Sequence, residues 1–88
     1  MLKVEVQAVG VGKIKCKIPA EADVDLLLKH LHKNYANSLS NLINSKTGKT
    51  HSYVSIWVNS TSIKKLQKFK TKLKDGDTVT IFRPSAGG

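Results

Sequence analysis

Gly87 and Gly88 close the sequence, and a carboxylate carried on two consecutive glycines is the group in this chain best suited to chemistry. Glycine has no Cβ, so such a pair is the slimmest and most conformationally free stretch a chain can have. It can thread a narrow channel in a partner and present a carboxyl group inside it. At neutral pH that carboxyl is ionised, its ordinary pKa being about 3.3–3.7. A carboxylate is a poor electrophile and must be activated, as an acyl-adenylate for example, before it transfers anything. Pro84 fixes φ and lacks an amide donor, so sheet pairing is expected to stop there and the tail to leave the body of the domain. The expected division is a domain over residues 1–83 and a flexible tail over 84–88. Composition alone favours the plainer reading of a frayed end.

The residues leading into the glycines sharpen the picture. They read Leu73-Lys74-Asp75-Gly76-Asp77-Thr78-Val79-Thr80-Ile81-Phe82-Arg83-Pro84-Ser85-Ala86-Gly87-Gly88. This run resembles the C-terminal signature of the MoaD/ThiS family of ubiquitin-like sulfur carriers, approximately L-x-D-G-D-x-V-x-I-F-P-P-x-x-G-G, and lies nearest the MoaD branch. It departs at Arg83, where that branch usually has a first proline. Asn59, after Val58, sits where the family often has V-N-G, with Ser60 in place of the glycine. The resemblance implies a ubiquitin-like β-grasp fold and a Gly88 that is adenylated and converted to a thiocarboxylate, with Gly87 giving slim access. In the MoaD branch the sulfur goes to a pterin precursor of molybdenum cofactor. The implied partners are a ubiquitin-activating-type adenylating enzyme that uses ATP, and a sulfur donor protein. If the chain pairs with a larger catalytic subunit, it is the small, non-catalytic subunit of molybdopterin synthase. No bound cofactor, metal or catalytic residue of its own is implied. Pro84, Ser85 and Ala86 supply the reach, and Trp57, Phe82 and Arg83 stand at its root as partner-binding candidates. A modifier joined through Gly88 to target lysines, and a carrier for thiamine or tRNA thiolation, remain open. So does a basic nucleic-acid-binding module.

Eighty-eight residues make one domain, with one core and little room for an enclosed catalytic pocket. No apolar run approaches the length needed to span a bilayer. A strand pattern starts at Leu2, which leaves no space for a signal peptide, and Cys16 is the sole cysteine, so a cytoplasmic location is expected. The net charge is +9, from fourteen lysines and Arg83 against six acids, and six lysines fall between Lys64 and Lys74. A lysine excess usually marks a solvated face. Arginine, whose planar fork dominates phosphate and base readout, occurs once, so nucleic acid is not the expected partner.

These groups need a scaffold. Leu2, Val4, Val6 and Ala8 alternate with polar residues, as do Ile14, Cys16 and Ile18, which predicts an antiparallel hairpin around Gly10-Val11-Gly12. Cys16 falls on the core side. Asp23 is a plausible N-cap for a helix whose stripe is Val24, Leu27, Leu28, Leu31 and Tyr35. Leu39, Leu42 and Ile43 suggest a further short helical turn. Tyr53–Val58 reads as a third strand with Trp57 outward. Ile63, Leu66, Phe69 and Leu73 punctuate the lysine-rich segment, expected to hold a short strand and a helical turn. Asp75-Gly76 marks a turn, and Thr78–Phe82 the last strand, with Val79 and Ile81 inward and Phe82 outward. The order gives an α+β domain, a mixed sheet with one main helix across one face. In the β-grasp that the resemblance implies, the last strand lies beside the first at the sheet centre.

Other fragments carry little. Thr47-Gly48-Lys49-Thr50 lacks the first glycine of a phosphate loop, since Ile43 stands there, and Gly10-Val11-Gly12 lacks the third of a dinucleotide fingerprint. One cysteine with His30, His32 and His51 makes no metal-ligand spacing.

Overall fold

The computed structural model describes residues 1–8, 11–35, 39, 42–43, 46, 50–51 and 54–83. Five strands, β1 (Leu2–Ala8), β2 (Gly12–Ile18), β3 (Ser55–Val58), β4 (Thr61–Ser62) and β5 (Thr78–Phe82), form one mixed sheet in the order β2-β1-β5-β3-β4. One helix, α1 (Val24–Tyr35), accompanies it. β1 and β2 pair antiparallel with Val4 opposite Cys16. β5 lies parallel to β1, Val6 opposite Val79, and antiparallel to β3, Ile56 opposite Ile81. This is the ubiquitin-like β-grasp.

Period-two alternation makes the sheet one-sided. Val4, Val6, Ala8, Ile14, Cys16, Ile18, Ile56, Val58, Val79 and Ile81 are all buried, as expected from the pattern. Burial raises the Cys16 thiol above its ordinary pKa, because a thiolate there would lose its hydration. The α1 stripe meets the same core through Val24, Leu27, Leu28 and Leu31, with Tyr35 packed against its margin. Each such burial contributes roughly 1.5–3 kcal/mol. The helix begins where Asp23 accepts the Leu26 N–H at 2.9 Å, the expected N-cap. Its first turn is held to the 71–73 segment by Val24 N–H to Thr71 C=O and Leu73 N–H to Ala22 C=O, both 3.0 Å.

Leu39, Leu42 and Ile43 are buried. The Leu42 and Ile43 N–H groups both donate to Leu39 C=O, and Ile43 bridges to Thr50. The third strand starts later than the sequence suggests. Val54 donates its N–H to His51 C=O at 3.0 Å, and strand pairing begins at Ser55; Tyr53 lies outside the described residues. The lysine-rich segment holds β4 and then two 3₁₀ turns, Ile63–Lys65 and Lys68–Lys70. Ile63 and Leu73 are buried, but Leu66 and Phe69 stand 42% and 40% exposed. Thr71, buried, donates its hydroxyl to Lys68 C=O and accepts the Gln67 N–H, fixing the second turn.

Candidate functional site

β5 is the strand that leads to the tail, and its position is set by a cluster of short hydrogen bonds at its root. Gly76 turns the chain at φ +87°, a conformation open to glycine without strain. Its N–H donates to Lys3 C=O at 2.8 Å, while Asp75 Oδ1 accepts the Lys3 N–H at 2.7 Å. Asp77 Oδ2 accepts the Lys74 N–H at 2.8 Å, and Asp77 C=O accepts the Glu5 N–H at 3.0 Å. From the other side Asn59, at φ +57°, donates from Nδ2 to Asp77 Oδ1 at 3.1 Å. Its Oδ1 accepts the Thr78 N–H at 3.1 Å, and its own N–H reaches Thr78 C=O at 2.7 Å. The Asp-Gly-Asp turn is thereby tied to β1 on one flank and to the end of β3 on the other. The sequence shows the turn but not these cross-links; the signal was a pair of aspartates around one glycine, with an asparagine closing a distant strand.

From this root β5 runs through the centre of the sheet and delivers Phe82 and Arg83 at its far end. The sheet face opposite α1 carries Trp57, Thr78, Thr80 and Phe82. Trp57 sits across from Thr80, and Phe82 across from Ser55. The two rings lie diagonally on neighbouring strands with centroids 6.4 Å apart and planes tilted by 47°, a favourable arrangement for aromatic pairs. Trp57 remains 37% exposed and Phe82 half-buried, so the pair partly covers itself and still offers apolar surface. A groove of about 640 Å³ continues this surface past β4, lined by Val54, Trp57, Ile63 and Phe69, with Lys64 and Lys68 beside them. Arg83 is exposed. The structure thus packs Trp57 on Phe82 across the open face, with Arg83 the next residue along the chain. Pro84, Ser85, Ala86, Gly87 and Gly88 lie outside the described residues.

Among the described residues, no group of histidine, cysteine and carboxylate side chains is placed to hold a metal ion. No helix among them is long and apolar enough to cross a membrane.

Comparison with known proteins decides the family. The ThiS family model matches residues 5–88, from β1 to the final glycine. The chain belongs to the ThiS family. The small archaeal modifier protein 3 of Haloferax volcanii is 30% identical over 82 residues, 93% of this chain and 87% of that one. The sulfur carrier protein CysO of Mycobacterium tuberculosis is 35% identical over 63 residues, covering 70% and 68% of the two chains. A Pyrococcus furiosus structure provisionally described as molybdopterin converting factor subunit 1 superposes with a TM-score of 0.71 at 24% identity, covering 97% of this chain and all of that one. At that identity it speaks for the fold alone. This ThiS-family chain is therefore a small ubiquitin-like protein of the carrier and modifier type.

Proposed function

We propose that this protein is a sulfur carrier and that Gly88 bears the sulfur. The Gly88 carboxylate attacks the α-phosphorus of ATP in a partner adenylating enzyme, and pyrophosphate leaves. A sulfide equivalent from a donor protein then attacks the acyl carbon, AMP leaves, and a thiocarboxylate remains. The receiving molecule, on the MoaD branch that the signature favours, is a pterin precursor of molybdenum cofactor. A molybdopterin synthase large subunit would supply the pocket and the proton transfers, and this chain none. The single observation that carries the reading is the central strand β5, clamped at its root by the Asp75-Gly76-Asp77 turn and ending at Phe82, which packs on Trp57, within a family match that runs to Gly88. A rigid strand with an apolar pair at its exit is what a channel-threading tail requires from its body. Trp57 and Phe82 would seat the partner and Arg83 to Ala86 would span its entrance.

A second reading is conjugation of Gly88 to lysines of target proteins, favoured by the 30% identity to an archaeal modifier across nearly the whole chain. Both readings share the adenylation step. Incubation with the cognate activating enzyme, ATP and a sulfur source, followed by intact mass spectrometry, tests them. Replacement of one oxygen by sulfur at the C-terminal peptide supports the carrier. Transfer of that sulfur to a pterin precursor supports the MoaD role. Isopeptide-linked adducts and no thiocarboxylate would replace the first reading by the second.

A further inference from the structure

β2 is an edge strand: the sheet order places β1 on one side of it and no described strand on the other. The hydrogen bonds of β1 fix which of its groups are unpaired. Lys3 and Glu5 direct their backbone groups towards the β5 side, since Lys3 C=O accepts the Gly76 N–H and the Glu5 N–H reaches Asp77 C=O. Val4 and Val6 therefore face β2, and their opposite numbers Cys16 and Ile14 face back. The outward N–H and C=O groups of β2 then belong to Lys13, Lys15 and Lys17. These same residues put their side chains on the sheet's open face, all three exposed and, among the described residues, none in an ion pair. Even Glu5, opposite Lys15, is engaged elsewhere, accepting from Gln7 Nε2 at 3.3 Å.

We infer that the β2 edge is a docking site for an extended acidic segment of a partner protein, added as a sixth strand. An antiparallel strand placed there would bond directly to Lys13, Lys15 and Lys17. Its directly opposed residues would stand on the open face about 5.5 Å from those lysines, Cα to Cα. Consecutive lysines are about 6.8 Å apart along the strand. The matching sequence is an acidic residue at every second position, with apolar residues between them continuing the Ile14, Cys16 and Ile18 side. A second copy of this chain does not fit. Antiparallel pairing about Lys15 sets Lys15 against Lys15 and Lys13 against Lys17, and like charges directly opposite are destabilising. A one-residue slip exchanges the two faces. The lysines that deter self-pairing thus select the complement. A nucleic acid would meet the charge but has no strand to offer the outward amides.

The test uses the full chain, isotope-labelled, titrated with an end-blocked heptapeptide in which glutamate alternates with valine. Binding should give one-to-one shift changes over Gly12–Ile18 and slow amide exchange at Lys13, Lys15 and Lys17 but not at Ile14 and Cys16. Lys13→Glu, Lys15→Glu and Lys17→Glu together should weaken it by about tenfold or more. Lys33→Glu, Lys65→Glu and Lys70→Glu, the same charge change elsewhere, should leave it within about twofold. The inference is overturned if a peptide with its glutamates in one block binds equally well, or if changes centre on Trp57 or on Lys64–Lys74. It is equally overturned if a single-stranded oligonucleotide of equal charge displaces the peptide while no edge amide gains protection, or if nothing binds at millimolar peptide. None of these outcomes involves Gly88, so the carrier chemistry stands or falls separately.

Discussion

Asn59 is the residue whose replacement most directly tests how the tail-bearing strand is anchored. Asn59→Ala removes the acceptor for the Thr78 N–H and the donor to Asp77, and leaves an alanine at φ +57°. Two hydrogen bonds at this exposed site contribute about 0.5–1.5 kcal/mol each. Holding a residue with a Cβ in the left-handed region, without asparagine's local hydrogen bonding, adds about 1–2 kcal/mol. The expected loss is therefore about 2–5 kcal/mol, a large part of what an 88-residue domain has in total. Asn59→Gly loses the same hydrogen bonds but not the conformational fit, so it should cost only about 1–3 kcal/mol, about 1–2 kcal/mol less than the alanine variant. Asp77→Ala, which releases the Lys74 N–H as well as Asn59 Nδ2, should cost about 1–3 kcal/mol. Asn59→Ala with Asp77→Ala should fall short of additivity by about 0.5–1 kcal/mol, because their shared bond is removed once. Urea unfolding followed by Trp57 fluorescence reads all four, with unchanged denaturant slopes as the check on two-state behaviour. Equal losses for Asn59→Gly and Asn59→Ala would refute the backbone argument. Strict additivity of the pair would refute the clamp.

Further expectations follow from the same geometry. Gly76→Ala meets nothing within 4 Å of the added Cβ but is forced to φ +87°, so it should cost about 1–2 kcal/mol by urea unfolding; a loss below about 0.3 kcal/mol would mean the turn relaxes freely. Leu31→Ala, fully buried under the sheet, should cost about 2–5 kcal/mol, measured in the same way. Trp57→Ala should cost about 1 kcal/mol or less, since the ring is partly exposed, yet raise the KM for adenylation by the partner enzyme; unchanged KM would remove Trp57 from the docking surface. Cys16 should resist thiol reagents in the native state and react fully in urea. Its pKa is raised in the folded state, so the unfolded chain loses its proton first as pH rises. The stability that the neutral thiol contributes is intact below the ordinary thiol range and falls as pH climbs through it towards the folded value. Thermal melts of Cys16→Ala should lack that alkaline decline.

What the sequence reveals follows from how local each determinant is. Alternation in Leu2–Ala8 and Lys13–Ile18, and the Asp23 cap with its leucine stripe, are decided by neighbours along the chain, and the structure reproduces them. The centre position of β5 is not local; it came from the likeness of Leu73–Gly88 to a known signature. In the lysine-rich segment the expected short strand and helical turn appear as β4 and the first 3₁₀ turn, but not the second turn, because Leu66 and Phe69 are exposed and their spacing matches neither helix nor strand. The late start of β3 depends on one backbone bond, Val54 to His51. At the site, Trp57 and Phe82 were legible as outward residues, but their mutual packing needs the strand order. The roles of Asp75, Asp77 and Asn59 need three segments brought together.

The parallel pairing of β1 with β5 also sets how the molecule bears load. The two strands start at the same end of the sheet, so Leu2 and Phe82 lie at opposite ends of the pair. A pull between them drags one strand lengthwise past the other, and the contacts from Glu5 with Thr78 to Ala8 with Ile81 must yield together. The β1–β2 hairpin, pulled apart from its open end, would instead peel one rung at a time. Traction on the carboxyl end against an anchored Leu2 thus loads the β1–β5 pairing in shear rather than by peeling.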